Sequence, residues 1–265
     1  MFLCTGIIFT VLKAPFFNVK SIVCVGQEKL TEEEIIKAAD AKCGVNIFVT
    51  NISAMKRRLS EMPEISESNV RRLFPNKLKI WVREAKGAGY VKVSGAFAVV
   101  DTKGKIIAAV PEKETDAVTG LAELTGLKVT SETPGQKITA EDDMKAEKIF
   151  ECLDIMDRLG MLPHIRKTNA EDLSDIKLDY EGRLNIYIGS YDNMEYKLTF
   201  VKKVIDENIS AYERADIDFR GEKLYVGPRE SDTAAAETEA AQENGGGEEP
   251  QTQTGEKTEN EEKQG

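Results

Sequence analysis

Ser53-Ala54-Met55-Lys56 sets a serine hydroxyl about one helical turn from a lysine amine, the S-x-x-K spacing of serine acyl-enzymes. That chemistry also needs a K-T-G element and an S-D-N type element, and the chain has neither. The single histidine, His164, has no cysteine near it, so no serine–histidine–acid set or zinc cluster is legible. Its expected role is that of an ordinary strand residue. Cysteines at 4, 24, 43 and 152 contain no C-x-x-C pair; a Cys24–Cys43 disulfide is conceivable, and ordinary thiols are the preferred reading. Glu141-Asp142-Asp143 sits where a helix should begin, which suits the macrodipole better than acid–base work. No glycine-rich phosphate loop follows a strand. The reading is therefore of no catalytic, cofactor or metal site, no small-molecule substrate and no enzyme.

A different stretch carries the sharper signal. Val70 to Ala85, VRRLFPNKLKIWVREA, reads as a β-hairpin turning at Phe74-Pro75-Asn76. Leu78, Ile80 and Val82 fall on one face and should pack on helices. Lys77, Lys79, Trp81 and Arg83 fall on the other, as a possible docking face for a protein partner or an anionic membrane surface. The plainer alternative is a solvated edge whose lysines discourage strand pairing. Nucleic acid is not an expected partner.

Elements that would position this hairpin follow from periodicity. Phe16 to Gly26 alternates as a strand, with Val19, Ile22 and Val25 inward. A helix opens at Thr31 with Glu34 completing a capping box, has the stripe Ile35, Ile36 and Ala39, and is closed by Gly44. A second runs from about Ser53 to Glu61, with Met55 and Leu59 buried and Pro63 beyond it. Gly87 and Gly89 mark a seam, after which three short strands span Tyr90 to Val110. DAVTGLAEL and TSETPGQ read as loops. A helix over about Glu141 to Leu159 should bury Met144, Ile149, Leu153 and Met156. A hairpin then turns at Glu181-Gly182, a helix follows over Tyr196 to Ile209, and two short strands around Gly221 stop at Pro228.

Charge and hydropathy bound the ends. Of the net charge of −10, the segment from Glu230 to Gly265 carries −9, so the rest is nearly neutral and the basic hairpin stands out. That acidic tail has no Ile, Leu, Val, Met or aromatic residue and is expected to be disordered. At the other end MFLCTGIIFTVL is uncharged until Lys13. As a helix it would reach about 18 Å against a hydrocarbon core of about 30 Å. It reads either as the outer part of a transmembrane helix or as a buried strand. Lys13 and Phe16-Phe17, resembling an interfacial boundary, favour the first.

Taken in order, Phe16 to Gly26, TEEEI, NIF, MPEISESNVRRLFPNKLKIWV, VVDTKGKII, AVTGL, YIGSYDNMEYKLTFVKKVI and IDFRGEKLYVGP resemble the bacterial cell-division family FtsQ, called DivIB in Gram-positive bacteria. The resemblance covers about Phe16 to Pro228. It implies an α+β fold: a POTRA-like β-α-α-β-β domain over 14–86, then a mixed α/β domain with a mainly antiparallel sheet over 87–228. A partial transmembrane segment at 1–13 and the tail at 229–265 complete the expected organisation. It further implies a single-pass protein of the cell membrane, its C-terminal bulk extracytoplasmic at the division septum. There it would act as a divisome scaffold that binds FtsL and FtsB/DivIC-type coiled-coil subunits. Partner binding maps onto Phe219, Arg220, Lys223, Leu224, Tyr225 and Val226, where a partner strand would add to a sheet edge. Of these, Lys223 and Tyr225 should point away from the core, whereas Phe219, Leu224 and Val226 could instead close it. The alternative is an extracytoplasmic cell-wall enzyme or regulator using Ser53 and Lys56.

Overall fold

A computed structural model describes residues 14–229 of the 265-residue chain. The apolar run before Ala14 and the acidic segment from Glu230 lie outside the described residues. No helix among the described residues is long and apolar enough to cross a membrane.

The smaller of the two main sheets is built from β1 (Ser21–Val25), β2 (Ile65–Leu73) and β3 (Lys77–Glu84), with α1 (Glu32–Ala39) and α2 (Ile52–Ser60) between β1 and β2. Strand order is β1-β3-β2, β1 parallel and β2 antiparallel to β3. Strict alternation along β3 buries Leu78, Ile80 and Val82 completely, against Ile35, Ala39, Met55 and Leu59 of the helices. The capping box forms as expected: the Thr31 hydroxyl accepts from the Glu34 N–H, and Glu34 accepts from the Thr31 N–H at 2.8 Å. Three details differ. Asp40, at φ 52°, rather than Gly44 takes the left-handed position that ends α1. Asn51 caps α2, its side chain accepting from the Ala54 N–H at 3.0 Å. Pairing of Cys24 with Ile80 turns Cys24 inward and sends Val23 and Val25 to the outer face.

Nine strands make the larger sheet, in the order β14-β13-β12-β11-β10-β7-β4-β5-β6. They are β4 (Gly89–Val93), β5 (Ala96–Val100), β6 (Ile106–Pro111), β7 (Ala122–Thr125), β10 (Ile165–Asn169), β11 (Ile176–Tyr180), β12 (Leu184–Gly189), β13 (Ala215–Asp218) and β14 (Tyr225–Pro228). A two-stranded ribbon, β8 (Val129–Ser131) with β9 (Thr139–Ala140), stands apart from it. Antiparallel hairpins dominate the sheet, but β7 is parallel to both β4 and β10, and β12 to β13. Two of those parallel pairs are joined by helical crossovers, α3 (Asp143–Arg158) between β7 and β10 and α4 (Met194–Asn208) between β12 and β13, whereas β4 reaches β7 through β5 and β6. Ile149, Leu153 and Met156 from α3 and Leu198, Val201 and Ile205 from α4 share one core with Leu124, Leu178 and Ile186 of the strands.

DAVTGLAEL is therefore not all loop, since it holds the interior strand β7. Four residues in which only Ala122 and Leu124 are buried leave too short a pattern to show in the sequence. Met144 is 73% exposed rather than inward. It lies five residues before Ile149, about 140° around the helix from the buried stripe.

A polar joint ties the two sheets together. Asp101, buried in the turn after β5, accepts from the N–H groups of Lys103 and Lys105 at 2.9 and 2.8 Å and from the Ser66 hydroxyl at 3.2 Å. The Lys105 ammonium donates to the carbonyls of Ser60 (2.7 Å), Met62 (2.6 Å) and Ile65, where α2 runs into β2. Gly135 comes so near that a Cβ there would lie 2.1 Å from the Glu61 carbonyl oxygen, at a φ of +85°.

Candidate partner-binding edge and cationic face

β14 is the outermost strand of the larger sheet, with β13 its neighbour on one side and a free rim on the other among the described residues. Such a rim presents backbone donors and acceptors that an added strand could pair with. The six residues assigned to it are not equivalent. Phe219 is buried, its N–H donating to the Tyr187 carbonyl at 2.8 Å and its ring meeting Phe200 at 5.6 Å. Arg220 is committed within the chain: it pairs with Asp218 and lies over the Tyr187 ring at 5.1 Å. That pairing holds the Asp218 carboxyl below its ordinary value and raises Arg220. Leu224 is half-buried against the core, while Lys223, Tyr225 (66%) and Val226 (44%) are exposed. Val226 is thus released from the core-closing role open to it on sequence, because a four-residue strand at the rim has little to bury it.

Beside this edge, Tyr196 and Phe200 of α4 stand 64% and 40% exposed, with Tyr196 6.2 Å from the Phe219 ring. Sequence reasoning passed over them. Their spacing of four places both on the face opposite the Leu198–Val201–Ile205 stripe, which was the available signal.

The hairpin residues Lys77, Lys79, Trp81 and Arg83 do share one solvent-facing side, but β3 is the central strand of its sheet. They therefore form the middle of a face, and the edge-guarding alternative does not apply. Lys79 lies between Val23 of β1 and Arg71 of β2; Trp81 lies between Val25 and Asn69. Asn69, Arg71, Lys79 and Trp81 line a shallow cleft of about 270 Å³. Arg83 is neutralised by Glu67 at 2.7 Å, and Lys103 and Arg83 together hold the Glu67 carboxyl below its usual range. Among the described residues no carboxylate pairs with Arg71, Lys77 or Lys79.

Residues with catalytic potential are not assembled. Ser53 and Lys56 are both exposed on α2. His164 belongs to a 3-10 turn (Leu162–His164) instead of a strand; its Nδ1 lies 2.7 Å from Glu181 and its ring stacks on Tyr180 at 5.3 Å. Cys24, Cys43 and Cys152 are free thiols, Cys24 and Cys152 buried and Cys43 exposed. No group of three metal-ligating side chains occurs among the described residues.

The small sheet with its two helices is a POTRA module: residues 17–85 match the POTRA domain of FtsQ type. Over longer spans the chain is similar to the cell division protein DivIB of Clostridium botulinum (strain Hall), 28% identical over 230 residues, covering 85% of this chain and 88% of that one. It is also similar to DivIB of Clostridium tetani, 25% identical with 70% and 69% covered, and to the cell division protein FtsQ of Corynebacterium glutamicum, 24% identical with 72% and 80% covered. The chain thus carries a POTRA domain of FtsQ type and is similar over most of its length to bacterial cell-division proteins named DivIB and FtsQ.

Proposed function

We propose that this protein is a non-enzymatic divisome scaffold. In this reading residues 1–13 belong to a single membrane anchor, and the two sheets lie outside the cytoplasmic membrane at the septum. FtsL and FtsB/DivIC-type subunits bind by adding a strand beside β14. The observation that carries the reading is the rim of β14, free among the described residues, with Tyr225 and Val226 exposed on it and Lys223 exposed just before it. Backbone pairing along the rim supplies affinity, and the side chains of alternate residues select the guest.

The cationic face supports a second contact made by the same scaffold. Arg71 and Lys79 share a cleft with Trp81, Lys77 lies further along the same face, and among the described residues no carboxylate pairs with these three cations, a composition suited to an acidic division partner. The enzyme alternative built on Ser53 and Lys56 lacks any assembled third group.

Co-purification of the full chain with coiled-coil division proteins tests the reading. Val226→Pro should abolish capture, since proline removes a backbone donor and disfavours ladder geometry. Tyr225→Ala should weaken capture about tenfold, as expected for an aromatic contact at an interface centre. Capture unchanged by Val226→Pro would overturn strand addition.

A further inference from the structure

One pole of the POTRA module displays apolar side chains that its own core does not need. Phe16, Phe48, Val49 and Phe74 are 59%, 40%, 73% and 61% exposed. Ring contacts link Phe16 to Phe17, Phe17 to Phe48 and Phe48 to Phe74, at 5.2, 5.2 and 5.3 Å. The rings come from three separate places: the 3-10 turn Pro15–Phe17, the loop after α1 and the β2–β3 turn.

This display is held by its surroundings. The Arg72 guanidinium donates to the carbonyls of Ile47 and Thr50, each at 2.7 Å, bracketing Phe48 and Val49. The Asn46 side chain accepts from the Phe48 N–H at 3.0 Å, and the Thr50 hydroxyl donates to the Asn46 carbonyl. Ile47 is fully buried, and its N–H donates to the Phe17 carbonyl at 2.9 Å. A charged side chain has thus been spent on fixing a loop whose next two residues point into solvent, although turning them inward would remove their apolar surface from water.

We infer that this pole rests in the interface of an anionic lipid bilayer, with Phe16, Phe48, Val49 and Phe74 at the headgroup–acyl boundary. The occupant follows from the chain that leads into it: twelve uncharged residues end at Lys13, three positions before Phe16. Cations lie to one side. Lys20 sits beside the hairpin turn, its N–H donating to the Asn76 carbonyl at 2.8 Å, and Lys77 stands opposite Leu73. Aromatic rings flanked by lysine and arginine suit the membrane–water boundary, where the rings bury and the cations face lipid phosphates. The inference rests on the reading of residues 1–13 as an anchor. It adds that the POTRA module is seated on the bilayer and is not merely tethered near it.

The chain's single tryptophan makes the test direct. In a Trp81→Phe background, Phe48→Trp places the only indole at the pole, and Tyr212→Trp places it at a residue 96% exposed elsewhere. The full chain is reconstituted into phosphatidylglycerol-containing vesicles with bromine on the shallow acyl carbons. Emission from position 48 should fall about twofold and shift to the blue, while that from position 212 stays unquenched. Phe74→Trp in the same background repeats the measurement should Phe48→Trp fail to fold. Val49→Asp should relieve the quenching. A chain that floats with the vesicles yet shows no quenching at 48 or 74 overturns this inference alone, and leaves the pole to a protein. Failure to float overturns the anchor reading with it. Equal quenching at position 212 also overturns it, as collapse onto the bilayer without a preferred face.

Discussion

Replacing Lys105 by methionine should uncouple the two sheets while leaving each core intact. The ammonium donates to three carbonyls at the end of α2 and the start of β2, and the methionine stem keeps the packing but no donor. Hydrogen bonds from a charged group contribute about 1.5–3 kcal/mol apiece in gross terms. Two offsets apply. Partial burial lowers the Lys105 pKa, so holding the ammonium there has a desolvation cost, and of the three residues whose carbonyls are freed Ser60 is exposed and Met62 half-buried, so that only Ile65 is buried away from water. A net loss of about 2–3 kcal/mol is therefore expected. With a urea m-value of about 2 kcal/mol/M, the midpoint should fall by about 1 M. Trp81 fluorescence reports the small sheet, and far-UV circular dichroism is weighted toward α3 and α4. In Lys105→Met the fluorescence transition should move to lower urea than the dichroism transition, whereas the wild-type transitions coincide. Lys105→Arg, which keeps charge and donors, should recover part of the shift. Coincident transitions for Lys105→Met, with a midpoint within about 0.3 M of wild type, would refute the view that this side chain joins the sheets.

Gly135→Ala attacks the same joint by sterics: at a φ of +85° with a Cβ 2.1 Å from the Glu61 carbonyl oxygen, it should cost more than about 1–2 kcal/mol, read by the same melts. Arg71→Glu with Lys79→Glu should impair septal recruitment of a fluorescent fusion with no change in melting. Unaltered recruitment would remove the cationic face from the contacts proposed for this protein. Glu84 accepts from the N–H groups of Glu28, Lys29 and Leu30, each at 2.8 Å, which lowers its carboxyl pKa. Its stabilising contribution is present above the ordinary carboxylate pKa and lost as pH falls through the lowered one. Glu84→Gln should therefore flatten the acid limb of stability against pH, and an unchanged limb would count against the capping role. In a Cys4→Ser background Cys43 should react with a thiol reagent in the native state. Cys152, whose thiol burial pushes up to about 12, should react only on unfolding.

What the sequence determined by itself was whatever depends on neighbours a few residues apart. Thr31 and Glu34 form their box, Leu78, Ile80 and Val82 face one way, and Glu181 and Gly182 take the left-handed turn because each is a local matter of spacing or backbone freedom. The order of motifs was enough to bring out the similarity to FtsQ and DivIB proteins. Tertiary structure decided what depends on which strands meet. Placing β3 between β1 and β2 turned an apparent edge into a face, and β7 became interior although its four residues carry almost no pattern. Val226 and Arg220 parted company with their neighbours for the same reason: one lies where the sheet runs out, the other where Asp218 and Tyr187 come within reach. The ring cluster of Phe16, Phe48 and Phe74 was likewise out of sight, since it unites residues up to 58 positions apart. Side-chain period is a property of one strand, whereas exposure is a property of everything packed around it.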